Sequence, residues 1–126
     1  MKIRGWHSKM RRMISCEEMV ADQMALLPDG RFINVHGADT RLSTIFNPKE
    51  FVPLLSTGEV DVDGVEIYAG DILKIGPMLA FEEGCHEVVF VRAGFWAGGV
   101  SGPNFKYCKV VGNIYENADL CRTGKP

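Results

Sequence analysis

Nowhere in the chain does an apolar run approach the roughly 20 residues that cross a bilayer as a helix. Residues 1–13 are basic with no apolar stretch behind them, so neither a spanning helix nor a secretory leader is predicted, and the expected location is the cytoplasm with no membrane partner. Cysteine is scarce and badly spaced for chemistry: Cys16, Cys85, Cys108 and Cys121 include no C-x-x-C pair. Structural zinc sites take ligands in close pairs from one turn, so no metal is expected. In a reducing compartment these residues are free thiols packed as small apolar groups. Phosphate-binding loops are missing as well, because Gly94, Gly98 and Gly99 flank Phe95-Trp96 and open onto no helix. No cofactor is expected. Internal repeats and low-complexity tracts are also lacking.

An excess of positive charge is the last absence, the formal net charge being −2. The charge is nevertheless segregated. Lys2, Arg4, Lys9, Arg11 and Arg12 occupy the N-terminus without an acid among them, whereas Glu59, Asp61, Asp63, Glu66, Asp71, Glu82, Glu83 and Glu87 follow later against Lys74 alone. Opposite charges in two segments attract, either by docking of the N-terminal strand beside the acidic segment within one chain or by the same contact between subunits.

What is present is a chain of 126 residues with 46% hydrophobic residues, enough for a modest core in one domain or two very small ones. The segment that organises the rest is Val65-Glu66-Ile67-Tyr68, a break at Ala69-Gly70-Asp71, and Ile72-Leu73-Lys74-Ile75. Alternating apolar and polar residues predict two half-buried strands. Gly70 can take positive φ and Asp71 can bond nearby amides, so the pair is a structural turn that sets the register of the second strand.

Along the chain, residues 2–6 predict a strand, His7-Ser8-Lys9 a turn, and Arg11-Arg12-Met13-Ile14 an antiparallel return. Ser15 followed by Glu18 has capping-box spacing and predicts a short helix, Cys16 to Ala21. Residues 23–27 and 31–35 around Pro28-Asp29-Gly30 predict a β-hairpin, with a continuous helix over residues 15–27 as the competing reading. Residues 36–48 carry few periodic apolar positions and are expected as a surface loop. Strands follow at 51–55, with Pro53 at an edge, and at 87–92. Phe95-Trp96-Ala97 begins another, Gly98, Gly99, Gly102 and Pro103 form a flexible loop, and residues 107–114 are the last strand, after which Asn117 caps a terminal turn. Gly64, Gly70, Asp71 and Gly112 are structural turn positions. Many short strands without βαβ alternation predict a mainly β protein, with a hairpin-rich N-terminal region and short helix in residues 1–55 and a small, strongly bent barrel or sandwich in residues 56–126.

Catalytic constellations do not assemble. Cys85 and His86 are adjacent on an extended strand and point to opposite faces, and Asp61 and Asp63 are explained by the turn at Gly64. His7 and His36 are expected as solvated loop residues.

Ile3-Arg4-Gly5-Trp6, Thr57-Gly58, Asp63 through Ile72, Val88-Val89-Phe90, and Val111-Gly112-Asn113-Ile114-Tyr115-Glu116-Asn117 with Leu120 together resemble, in that order, the YopX-like proteins of bacteriophages and prophages. The chain departs from the family's pattern at His7, where an acid is common, and at Ala118, where proline is frequent. The resemblance implies a phage- or prophage-encoded β-rich protein whose C-terminal part is a small SH3-like barrel, and a homo-oligomer; it brings no catalytic residues. The expected function is therefore that of a non-enzymatic accessory protein acting through protein contacts, with itself, through pairing of the N-terminal strands of residues 1–55 with a neighbouring copy, or with a host or phage protein. The alternative is a nucleic-acid-binding module using the basic N-terminus and barrel aromatics such as Tyr68 and Tyr107. Arg4, Trp6, Lys9, Arg11, Arg12, Phe95 and Trp96 are the candidate interaction surface.

Overall fold

The computed structural model describes residues 2–34, 44–76 and 84–123. It is mainly β, and two compact units divide the chain, Lys2–Leu55 and Ser56–Pro126.

In the first unit, β1 (Ile3–His7) pairs antiparallel with β2 (Arg12–Ile14), Gly5 facing Ile14. The helix α1 (Cys16–Ala21) opens as the capping box requires: Ser15 Oγ accepts the Glu18 N–H at 3.1 Å. It stops because Gln23 takes a left-handed conformation, φ 56°, so the continuous helix over 15–27 does not form. The hairpin of β3 (Met24–Leu26) and β4 (Phe32–Asn34) forms instead, closed by Leu27 N–H donating to Arg31 O at 2.7 Å, with Gly30 at φ 89°. The loop expected over 36–48 needs correction at its end. Residues 36–43 lie outside the described residues, but β5 (Thr44–Phe46) pairs with β4, because a β-branched and aromatic triplet next to a paired strand completes the ladder despite its short length.

Strand β6 (Phe51–Val60) is twice as long as predicted. Its first half pairs with β1, Pro53 facing Gly5 and Phe51 facing His7. The core of this unit is Ile14, Met19, Phe32 and Phe51, with Ile3, Met24 and Phe46 packed against it. Phe51 reaches its position because Gly5 has no side chain: its ring fills the volume that a β-carbon there would occupy.

In the second unit, the later half of β6 pairs with β7 (Glu66–Tyr68) through a bulge at Gly58, φ 80°. Strand β8 (Asp71–Ile75) lies between β9 (Gly84–Glu87) and β13 (Lys109–Asn113). A separate ladder holds β10 (Val89–Val91), β11 (Gly94–Ala97) and β12 (Val100–Ser101), and α2 (Ala118–Thr123) follows β13. The strand predicted over 87–92 is thus two strands broken at Val88. Glu87 pairs with Ile72 on one neighbour and Val89 with Trp96 on another, while Val88 itself, fully buried, donates to Asp71 O at 2.8 Å and accepts from Gly70 N at 3.0 Å.

Two further expectations are corrected. Gly98 and Gly99, at φ 54° and 87°, make a tight hairpin turn, and Gly102–Tyr107 is a 3₁₀ helix opened by Pro103, so this stretch is not a flexible loop. That helix takes Tyr107, and the last strand begins two residues later than predicted. Ile67, Leu73, Ile75, Val88, Ala97, Val100, Phe105 and Cys108 form the core of the unit.

Candidate interaction surface

The Gly70-Asp71 break acts as the sequence predicts. Gly70, φ 90°, donates to Val88 O and accepts from Ile114 N at 2.9 Å, and buried Asp71 accepts the Tyr68 N–H on Oδ2 at 2.8 Å. Asp61 has a comparable role. Its Oδ1 accepts from Asp63 N at 2.8 Å and Val65 N at 2.9 Å, and its Oδ2 from Val110 N at 2.9 Å. Burial disfavours the charged carboxylate, yet these three N–H groups and the Lys109 ammonium outweigh it and hold the Asp61 pKa below the usual carboxylate value. Asp63 stays exposed, its Oδ2 3.8 Å from Lys109 Nζ.

The C-terminal motif closes in the same way. Asn113 Oδ1 accepts from Tyr115 N at 3.0 Å and Glu116 N at 2.9 Å, its Nδ2 donates to Glu116 Oε1 at 2.9 Å, and its N–H donates to Asn117 Oδ1 at 3.2 Å. Asn117 therefore folds back on the preceding strand with its side chain. Cys108 is buried with its thiol pKa pushed up by desolvation, and Cys16 and Cys85 are free thiols; the side chain of Cys121 lies outside what is described. Among the described residues, no group of three or more His, Cys, Asp or Glu converges as a metal site would require.

Large apolar side chains also face outward on hairpin β10–β11. Hairpin β10–β11 turns through Arg92 and Ala93, both left-handed at φ 51° and 61°, a two-residue primed turn made without glycine. Phe90 faces Phe95 across the hairpin with ring centroids 4.9 Å apart, and Phe95 packs on the core. The other face carries Val89, Val91 and Trp96. Phe90 is 57% exposed, Val91 47%, Trp96 39% and Val89 36%, so an apolar cluster is left open on both faces of this ribbon.

The predicted surface residues belong to both units, Arg4, Trp6, Lys9, Arg11 and Arg12 to the first and Phe95 and Trp96 to the second. Lys9, Arg11 and Arg12 are exposed at the β1–β2 turn, with Arg12 paired to Glu18 and Arg11 at φ 50°. Arg4 and Trp6 share a face of β1, but Trp6 is buried, which removes it from an exposed surface. Tyr68 is buried too, so it offers no stacking platform, whereas Tyr107 is exposed beneath Lys106 Nζ, 5.2 Å from the ring centroid. Phe95 and Trp96 lie on opposite faces of β11. Sequence reasoning missed Val89, Phe90 and Val91. The signal was there: three consecutive strand-forming apolar residues without the lysine or proline that blunts an edge.

A family model described as YopX protein matches residues 2–122. The chain belongs to the YopX family. Among solved structures, protein EF1440 from Enterococcus faecalis is similar over 94% of this chain and 96% of its own, with TM-score 0.63 and 24% sequence identity, a likeness of fold. No curated protein matches the chain. Of the positions through which it resembles YopX-like proteins, Gly70, Asp71, Asn113 and Asn117 are engaged in hydrogen bonds with nearby backbone, whereas Gly112, expected at a turn, lies inside β13 where the ladder with β8 bulges between Val110 and Gly112.

Proposed function

We propose that this YopX family member is a non-enzymatic accessory protein that works through protein contacts and associates with copies of itself in the cytoplasm of a phage's host. The observation that carries the reading is the open apolar ribbon of Val89, Phe90, Val91 and Trp96. Exposed large apolar groups in one cluster, on elements otherwise tied into a core, mark a surface that is covered in use. Asp61, Asp71 and Asn113 are engaged by backbone N–H groups, a structural use that supports the same reading.

In this reading the C-terminal unit is a small SH3-like barrel. Two three-stranded ladders, β13-β8-β9 and β10-β11-β12, with a 3₁₀ helix before β13, support that reading. Light scattering on the purified protein at micromolar concentration tests the assembly. A mass of two or more chains is expected, and a strictly monomeric protein would remove self-association from the function.

A further inference from the structure

Two turns of the first unit meet at one end of the β1–β6 ladder. His7 pairs with Phe51, and just beyond that pair Ser8 ties the turn of residues 8–11 to the turn of residues 47–50: its N–H donates to Glu50 O at 2.9 Å and its Oγ to Lys49 O at 2.5 Å. The tie sets exposed Lys9, Arg11 and Arg12 at one corner with exposed Lys49, a cation distant in sequence. Glu50, the acid within these turns, is occupied, its Oε1 accepting from Asn47 Nδ2 at 2.6 Å, and Glu18 pairs with Arg12. Among the described residues, Lys9, Arg11 and Lys49 form no ion pair. Arg11 also holds its place against a local cost. At φ 50° it lies in the left-handed region, where glycine is easier, and strain kept at an exposed cation marks a functional position rather than a folding one.

We propose that this corner binds the phosphate backbone of double-stranded nucleic acid through Lys9, Arg11 and Lys49. Charge and composition select the occupant. The unit Lys2–Leu55 carries eight Lys and Arg against six Asp and Glu, in a chain that is negative as a whole. A protein partner needs an apolar centre to its interface, and Met10, 62% exposed, is the one large apolar side chain exposed in these turns. Single strands are held by stacking on aromatic rings, but Trp6 is buried and the His7 ring packs edge-on against Phe46 and Phe51. Point charges on flexible stems remain, and these suit phosphates and read no sequence.

Fluorescence anisotropy of a labelled DNA duplex of about 20 base pairs, titrated with the full chain from about 50 to 200 mM salt, tests this. Log Kd is expected to rise with log salt at a slope of about 2.7, from about 0.9 for each of the three cations. Lys9→Gln and Lys49→Gln are each expected to lower that slope by about 0.9. Arg11→Gly is expected to do the same while the melting temperature holds or rises, because glycine relieves the left-handed backbone. Lys106→Gln, in the other unit, is expected to leave the slope unchanged. No binding at the lowest salt overturns the proposal, as does a Lys9→Gln/Arg11→Gly/Lys49→Gln protein, folded by circular dichroism, that binds as tightly as the parent. Equal displacement of the duplex by polyglutamate at matched charge, which would make the partner an acidic protein, or tighter binding of a single strand of the same length, also overturns it.

Discussion

Asp61 accepts the backbone N–H of Val110 at 2.9 Å, across 49 positions of sequence, and so ties the turn before β7 to strand β13. A carboxylate suits this position because all three of its partners are donors. In Asp61→Asn, one oxygen becomes an NH₂ that meets an N–H, leaving a buried donor without an acceptor. A loss of about 2–3 kcal/mol is expected, read as a lower urea midpoint at unchanged slope. An equal midpoint in the variant would show that the three hydrogen bonds contribute nothing net.

The lowered pKa of Asp61 fixes the pH dependence. A group whose folded pKa lies below its unfolded value contributes stability that is present in full above the unfolded value, near about 3.9, and is lost as pH falls through the folded value. The parent protein is therefore expected to lose stability more steeply than Asp61→Asn below about pH 4, where the two curves converge. Exposed Asp29, also lowered by the Arg31 N–H, titrates in both proteins and cancels in the comparison. Parallel curves in denaturation titrations would refute the assignment.

Gly112→Ala should destabilise for a local reason. A β-carbon there would lie 2.5 Å from Asn117 Oδ1 and 2.8 Å from its Cγ, so the Asn113–Asn117 closure must open. The expected cost is about 1–3 kcal/mol, and it should shrink in an Asn117→Ala background, where the obstructing amide is gone. Thermal unfolding of the four proteins gives the coupling; additive effects would mean that Asn117 is not the obstruction.

Gly5→Ala reverses the usual sign. Alanine in a strand interior normally replaces glycine with a gain of about 0.5–1 kcal/mol, because glycine loses more backbone freedom on folding. Here the added carbon enters the ring of buried Phe51, and a loss of about 2–4 kcal/mol is expected instead. Amide hydrogen exchange in β1 and β6 checks it: faster exchange there is expected, and unchanged protection would contradict the packing.

Ala93→Gly should stabilise. A left-handed alanine costs about 1–2 kcal/mol, and glycine removes that strain at a smaller entropic cost, leaving a gain of about 0.5–1 kcal/mol. A higher melting temperature is expected with Arg92 untouched, and a lower one would show that the turn is not strained at this position.

Local chemistry along the chain was enough to specify the Ser15 cap and helix Cys16–Ala21, the hairpin at Pro28-Asp29-Gly30, the turn at Gly70-Asp71 and a mainly β chain, because each depends on contacts within a few residues. The tertiary structure alone decided that β5 exists, that one apolar run divides at Val88 between two ladders, that Trp6 and Tyr68 are buried, and that Val89, Phe90 and Val91 are not. The physical reason is that period and propensity say which residues can lie on a strand, whereas which edge is left open depends on where a distant strand ends. Here that end is set by Asp71 facing Val88, a pairing between residues too far apart in sequence for any local pattern to announce.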